Sequence, residues 1–240
     1  MNDTPTAPEQ NHLLAALPEN ARARIFPRLK LVELNLGEVI YESGQPIEFV
    51  YFPTDCIISL LYVMINGSSA EISVVGNEGI AGIAVFMGGD STPSRTVVQS
   101  KGFAYRMSAP DLKVEFDNNP DVRVLTLRYT QALITQMSQT AVCNRHHSID
   151  QQLCRWLLLS LDRLPDNHLT MTQELIANML GVRREGVTEA ASKLQKLGII
   201  EYHRGHISVL DRPRLEQLCC ECYAVVKRET DRLVSRNPKY

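Results

Sequence analysis

Apolar residues first gather at Leu13, Leu14 and Leu17, and again at Ala21, Ile25 and Leu29 after Pro18 at a first helical position. That spacing predicts two short amphipathic helices covering the end of a sheet. The residues before them, 1–10, are polar, include Pro5 and Pro8 and have no period, which predicts a flexible tail. From Lys30 to Met107 the pattern shortens to β-branched and aromatic segments punctuated by Gly37, Gly44, Pro53, Asn66-Gly67, Gly76 and Lys101-Gly102. These are strands and turns, read as an antiparallel sheet that is rolled or sandwiched. Asn66-Gly67 is the sharpest local signal, because a tight hairpin needs positive φ and these residues adopt it at least cost. On either side of it, Leu60, Tyr62 and Met64 are expected to share one strand face, as are Ile72 and Val74.

Ser108-Ala109-Pro110 caps a short helix, and from Pro120 to about Arg145 no Gly or further Pro interrupts a helical pattern. Leu125, Tyr129, Leu133, Met137 and Ala141 form an i, i+4 stripe along it. A helix this long needs a partner, and a second copy of itself is the expected one; its own sheet is the alternative. Ser148 to Leu164 carries the core face Leu153, Trp156, Leu157 and Leu161 and stops at Pro165-Asp166-Asn167. The implied plan is α+β: a tail over 1–10, a rolled antiparallel sheet over 11–118, a long helix for dimerisation over 119–145 and a second, mostly helical domain over 146–240.

The 240 residues carry 25 basic and 27 acidic side chains, a net charge of −2 that gives no general affinity for polyanions. The average hides an asymmetry. Residues 1–142 hold 10 Lys and Arg against 15 Asp and Glu, whereas residues 143–240 hold 15 against 12. No apolar run is long enough for a membrane-spanning helix, and the start lacks the plan of a signal peptide, so a soluble, cytoplasmic protein without a membrane partner is expected. The six cysteines lack the density of a secreted disulfide scaffold, and reduced thiols follow.

The positive half contains the most informative stretch, Thr170 to Leu210. Thr172 can cap a helix whose Leu175, Ile176 and Met179 face inward, and Gly181 permits the left-handed residue that ends it. A second helix follows with Val187, Ala191 and Leu194 inward and Arg183, Arg184, Glu185 and Thr188 at its exposed start. Helix, tight turn and helix is how a reading helix enters a major groove. Arg183 and Arg184 can offer paired donors to guanine, and Glu185 can accept from a cytosine amino group. Lys193 and Lys196 lie farther along, toward the DNA backbone. After Leu197-Gly198 a hairpin is predicted, with Arg204 at its tip against phosphate. A winged helix-turn-helix results, and Thr172, Gln173, Arg183, Arg184, Glu185, Thr188, Lys193 and Arg204 form its candidate DNA-binding set. The competing reading is a sensor whose winged helix makes protein contacts.

A β-roll, a long helix and a winged helix in this order resemble the Crp/Fnr bacterial transcription regulators. The likeness is most specific in TQELIANMLGVRREGVTEAASKLQKLGII and in SIDQQLCRWLLLSLDRL, which leads into it. The resemblance implies a non-enzymatic homodimer on inverted repeats in double-stranded DNA, working with RNA polymerase. It also implies that Arg184 and Glu185 read bases while Gln173 touches phosphate. Glu189 stands where the family commonly has a second Arg, so the half-site is expected to differ. In the sensor stretch, Gly76 to Ser100, Arg95-Thr96 resembles the cyclic-phosphate clamp of nucleotide-binding members. The acidic residue that would hold the ribose is missing near Gly82 and Ile83. Gly82, Arg95 and Thr96 therefore mark a candidate effector pocket, but a cyclic nucleotide is not the expected effector.

Other constellations carry less. No cysteine precedes Cys56, which argues against the N-terminal iron-sulfur cluster of oxygen-sensing members. Cys219, Cys220 and Cys222 lack a fourth ligand unless His203 or His206 supplies it, and the expectation is small buried hydrophobes without a metal. Adjacent His146 and His147 diverge on a helix and do not suggest haem. Gly76, Gly79 and Gly82 do not have nucleotide-loop spacing, and turns between strands account for them. No catalytic triad, HExxH helix or carboxylate pair stands out, so no enzyme is expected.

Overall fold

The computed structural model describes residues 7–234. Residues 1–6 of the expected tail lie outside that range, and Pro8–Gln10 already form a 3-10 turn. Helix α1 (His12–Ala16) is capped by Asn11, which accepts from the Leu14 amide and donates to the carbonyls of Pro53 and Gly79. Pro18 serves as N-cap of α2 (Glu19–Ile25), one position earlier than the sequence suggests.

The roll consists of two antiparallel sheets. One has the order β1 (Lys30–Leu34), β7 (Gly102–Ser108), β3 (Phe49–Pro53); the other runs β2 (Val39–Tyr41), β6 (Arg95–Ser100), β4 (Ile57–Val63), β5 (Ser69–Val75). Short α3 (Ala84–Met87) lies between β5 and β6, and the enclosed core includes Val50, Phe52, Ile58, Ile80, Val98 and Met107. The β4–β5 turn does contain Gly67 at φ +85°, but it is wider than a two-residue hairpin: the Met64 amide donates to the Ser68 carbonyl, and Met64 leaves the strand. A bulge also breaks the expected alternation. Leu60 pairs with Ser73 and Leu61 with Glu71, skipping Ile72. Ile72 therefore joins Leu60 at the roll's internal cavity, while Val74 packs with Ile57 and Leu61 toward the C-terminal half.

Helices α4 (Ala109–Asn118) and α5 (Pro120–His146) start at the side-chain caps of Ser108 and Asn119. The predicted stripe on α5 needs correction as an interface with a second copy. Tyr129 and Leu133 are buried in the roll's own core, with Leu125 and Met137 packed against it, and of the five only Ala141 is exposed. The cause is steric fit. A Cβ at Gly79 would collide with the Tyr129 ring, so this glycine, more than a turn, makes room for the helix. The outward apolar residues of α5 are Val124, Leu127, Ile134 and Val142.

Ser148 forms a capping box with Gln151 to start α6 (Ile149–Leu161). There follow β8 (His168–Thr170), α7 (Gln173–Leu180), α8 (Arg184–Lys196), β9 (Ile200–His203), β10 (His206–Val209), α9 (Arg212–Leu218) and α10 (Glu221–Val234). The sequence pattern does not show β8 as a strand, yet it pairs with β10 and makes the wing three-stranded. Trp156 and Leu157 on α6, with Ile176, Val187 and Leu194, form a core that continues into Ile57, Leu61 and Val74 of the roll. α10 returns along α5 and reaches α1. No helix among the described residues is long and apolar enough to cross a membrane.

The seam between roll and C-terminal half is polar as well as apolar. Arg163 donates to Glu78 at 2.9 Å, and Gln99 donates to the Ser160 hydroxyl at 3.1 Å. Trp156 donates its indole proton to Glu71 at 3.1 Å, and the Ser59 hydroxyl lies against the other Glu71 oxygen. Burial pushes the Glu71 carboxyl up to about 7, against the opposing pull of Ser59, Arg155, Trp156 and Arg163. Ser59 has one proton and a second acceptor, Gln99 Oε1 at 2.7 Å, so a neutral Glu71 donating to Ser59 satisfies the whole chain.

A raised carboxyl favours the folded state most at low pH, and that advantage is lost as pH rises through about 7. Urea unfolding followed by Trp156 fluorescence should show stability falling by roughly 3 kcal/mol from this group between acidic and mildly alkaline pH. Glu71→Gln, which keeps the neutral shape, should remove most of that slope; an unchanged slope would mean that Glu71 is ionised throughout.

Candidate nucleic-acid interface

Thr172 caps α7 by accepting from the Leu175 amide at 3.2 Å, and Gly181 ends it at φ +67°. The two-residue connection through Val182 and Arg183 then starts α8 at Arg184. Val187, Ala190, Ala191 and Leu194 face the core, which turns Arg183, Arg184, Glu185 and Thr188 to solvent. Among the described residues none of Arg183, Arg184 and Glu185 is held in an ion pair, so their charges are available to an incoming ligand. Thr188 donates to Gln173 Oε1 at 2.7 Å, which fixes Gln173 beside the start of α8 and leaves its amide nitrogen to donate outward. The first turn of α8 also carries the unsatisfied amides of a helix N-terminus, which favour anions.

The wing stands beside this surface. Arg204 occupies the hairpin tip at φ +47°, followed by Gly205 at φ +84°, and its side chain is exposed. Tyr202 anchors the wing by donating to the Met171 carbonyl at 2.7 Å; burial raises its phenol to about 12, while the charge of Arg184 works in the opposite direction. His168 and His206 meet Ser208 and Thr170 across the strands, at 2.8 and 3.3 Å. Six of the eight candidates, Thr172, Gln173, Arg183, Arg184, Glu185 and Thr188, thus surround the α7–α8 turn, with Arg204 on the adjoining wing.

Lys193 is different. Its ammonium pairs with Asp150 and Glu189, both at 3.2 Å, and those hydrogen bonds raise its pKa, that to Asp150 first. It braces α8 against the start of α6 in place of standing free. No local pattern hints at this, because Asp150 is 43 residues away and reads as an ordinary first-turn acid.

The candidate effector residues separate. Gly82 and Thr96 line a cavity of about 130 Å³ together with apolar Leu60, Ile72, Leu133 and Met137. Arg95 does not line it: the guanidinium pairs with Glu42 at 3.0 Å on the outside of the roll. The cavity is smaller than the roughly 300 Å³ at which small-molecule pockets begin. Cys220 and Cys222 are buried, as expected of them. Cys220 and Cys222 meet Cys143 and His147 from the end of α5, whereas His203 and His206 stand in the wing.

No curated protein sequence matches the chain. Residues 151–218 match the model of the Crp-like helix-turn-helix domain. Among solved structures, a transcriptional regulator assigned to the crp/fnr family from Eubacterium rectale is 18% identical with a TM-score of 0.67, over 88% of this chain and 98% of that one. FixK2 from Bradyrhizobium japonicum is 17% identical with a TM-score of 0.68, over 80% and 98%. A CRP-family transcriptional regulator from Thermus thermophilus, TTHB099, is 15% identical with a TM-score of 0.65, over 78% and 95%. The α7–α8 unit and its wing are a Crp-like helix-turn-helix domain, and the chain as a whole has the fold of the Crp/FNR transcriptional regulators.

Proposed function

We propose that this chain is a sequence-specific transcription regulator that binds inverted repeats in double-stranded DNA as a homodimer. The observation that carries the reading is the unpaired, solvent-facing Arg183-Arg184-Glu185 at the start of α8 beside Arg204 on the wing. Arg184 and Glu185 read base edges in the major groove. Thr172, Gln173 and Arg204 hold the phosphates on either side, and Arg183 and Thr188 complete the contact. Lys193 adds to phosphate binding only by leaving Asp150 and Glu189, so its share is small. Loading of the operator recruits or blocks RNA polymerase. This reading assigns no catalytic step to the chain.

The dimer uses the face of α5 that the roll leaves uncovered. Leu127, Gln131, Ile134, Ser138, Ala141 and Arg145 alternate at four- and three-residue spacing, the heptad rhythm of a two-helix seam. All six are exposed, with apolar Leu127, Ile134 and Ala141 on one line. Two copies meeting along this line set their α8 helices apart by a fixed distance, which an inverted repeat then matches. The small apolar cavity and the outward Arg95 argue against a cyclic nucleotide as effector; a small apolar molecule, a protein or no effector suits this roll better. No haem or iron-sulfur cofactor is required.

Operator selection from genomic fragments should yield a two-fold symmetric site. Arg184→Ala should cost roughly 1–3 kcal/mol of discrimination at one base pair of each half-site while leaving weak, salt-sensitive binding to any duplex. Retention of full operator preference would remove Arg184 from the reading surface, and salt-independent binding would favour the protein-contact alternative.

Ile134→Asp should raise the dimer dissociation constant by about 100-fold or more in analytical ultracentrifugation, since each copy loses buried apolar contact and gains an unpaired charge at the seam. Circular dichroism should remain native because Ile134 faces away from the roll. A dimer of undiminished stability would place the contact elsewhere.

A further inference from the structure

The densest group of metal-binding side chains among the described residues lies where α5 ends and α6 begins, away from the reading surface. Cys143 is on the last turn of α5, His147 follows that helix, and Cys220 and Cys222 flank the start of α10. One ligand atom from each falls within 4.8 Å of all the others. Cys143 Sγ lies 3.6 Å from Cys220 Sγ, and Cys222 Sγ lies 3.6 Å from His147 Nδ1.

Those separations have a chemical meaning. Zinc bound tetrahedrally with Zn–S of about 2.3 Å and Zn–N of about 2.0–2.1 Å places its ligands on edges of roughly 3.8 Å for two sulfurs and roughly 3.5 Å for sulfur and nitrogen. The two observed edges fit. A disulfide would need its sulfurs at about 2.05 Å, so Cys143 and Cys220 are not bonded to each other. Buried thiols used only as small hydrophobes would account for the sulfurs but not for an imidazole turned toward them.

The outer groups point the same way. His147 Nε2 lies 3.4 Å from a carboxylate oxygen of Glu221, so one ring nitrogen faces a carboxylate while the other faces the thiols. That is the arrangement by which metal-binding histidines are oriented and made more basic. Cys143, Cys220 and Cys222 are all buried, which describes a closed site with four protein ligands and no open position. Three thiolates and an imidazole select zinc over magnesium or calcium, which prefer oxygen.

We propose that Cys143, His147, Cys220 and Cys222 form a Zn(II) site that clamps α10 to the joint between α5 and α6. Binding is a ligand exchange: the ion's water ligands leave, the thiols give their protons to solvent, and no electrons move. The proposal does not depend on DNA recognition. Cys143 and His147 are four residues apart and present from one side of a helical end, and Cys220 and Cys222 come from a segment 77 residues beyond Cys143. The ion thereby joins the long helix to the last one at the point where the DNA-binding domain is attached.

The full chain, purified with reductant and without chelator, should hold about one zinc per chain by elemental mass spectrometry. Co(II) replacing it should give thiolate-to-metal charge-transfer absorption of the strength expected for three sulfurs, and Cys222→Ser should lower it to that for two. Cys220→Ser should release the metal, whereas Cys219→Ser, beside the site but outside it, should keep it. Glu221→Gln should weaken binding about 10- to 100-fold without changing the cobalt spectrum, as loss of an outer carboxylate does. Should Cys220→Ser fail to fold, the cobalt titration of the unaltered chain and of Glu221→Gln still decides. A natively folded, reduced chain that retains no zinc and gives no thiolate–cobalt band would overturn the proposal, as would metal lost on Cys219→Ser and kept on Cys220→Ser.

Discussion

The docking of α5 on its own β-roll is the constraint from which the other relations follow. Tyr129 and Leu133 are removed from water in the roll's core, and Gly79 allows the Tyr129 ring to approach where any side chain would collide with it. Burying two such residues contributes about 2–3 kcal/mol each and fixes the rotation of a 27-residue helix about its axis. Once that rotation is set, Leu127, Ile134 and Ala141 must face outward, and Cys143 must face α10. The same choice of rotation therefore determines both what the helix offers to a second molecule and which side chains gather at its end.

The roll and the winged helix are joined more closely than a linker would require. Ile57, Leu61 and Val74 on the roll enter the core of α6, α7 and α8, and a Cβ on Gly181 would lie 3.3 Å from that of Ala70 on β5. The turn that orients α8 thus rests on the β4–β5 hairpin. Ile72 faces the internal cavity, and Val74, two residues along the same strand, faces α6, because the bulge separates them. The cavity lining and the core of the winged helix are thus adjacent through this one strand. Glu71 lies on the same strand and ties it to Trp156, with its carboxyl pushed up by burial.

Local chemistry governs which features are legible in the sequence. Thr172 as cap, Gly181 in the left-handed conformation, and the outward Arg183, Arg184 and Glu185 follow from patterns within a few residues, and the structure has them there. So do Ser108 as cap and the uninterrupted helix after Pro120. Relations across the chain are not legible in this way. The period of α5 reveals an apolar stripe but not whether its partner is the roll or a second copy, since both would select Tyr129 and Leu133. Arg95-Thr96 has the residue types of a phosphate clamp, yet adjacent strand residues face opposite ways, so Thr96 turns inward and Arg95 outward. The wing histidines are nearest in sequence to the thiol group, whereas Cys143 and His147 reach it through the antiparallel packing of α10 on α5.

Part of the charge on the C-terminal half is held in internal ion pairs. Lys193 pairs with Asp150 and Glu189, and Arg212 with Asp162 and Glu216, so these two cations are engaged inside the domain. Arg183 and Arg184 at the start of α8, Arg204 at the wing tip and Lys196 on the last turn of α8 face solvent outside the described ion pairs. Under the proposed function, a surface arranged in this way gains less from nonspecific phosphate attraction than a uniformly basic helix would, because fewer counterions are released. Discrimination then rests more heavily on Arg184 and Glu185, at the turn where Thr188 donates to Gln173 and beside the wing that Tyr202 anchors. Glu189, one turn along and paired with Lys193, leaves no free cation in the middle of α8, so under the proposed function the first turn is the part best suited to lie deepest in the groove.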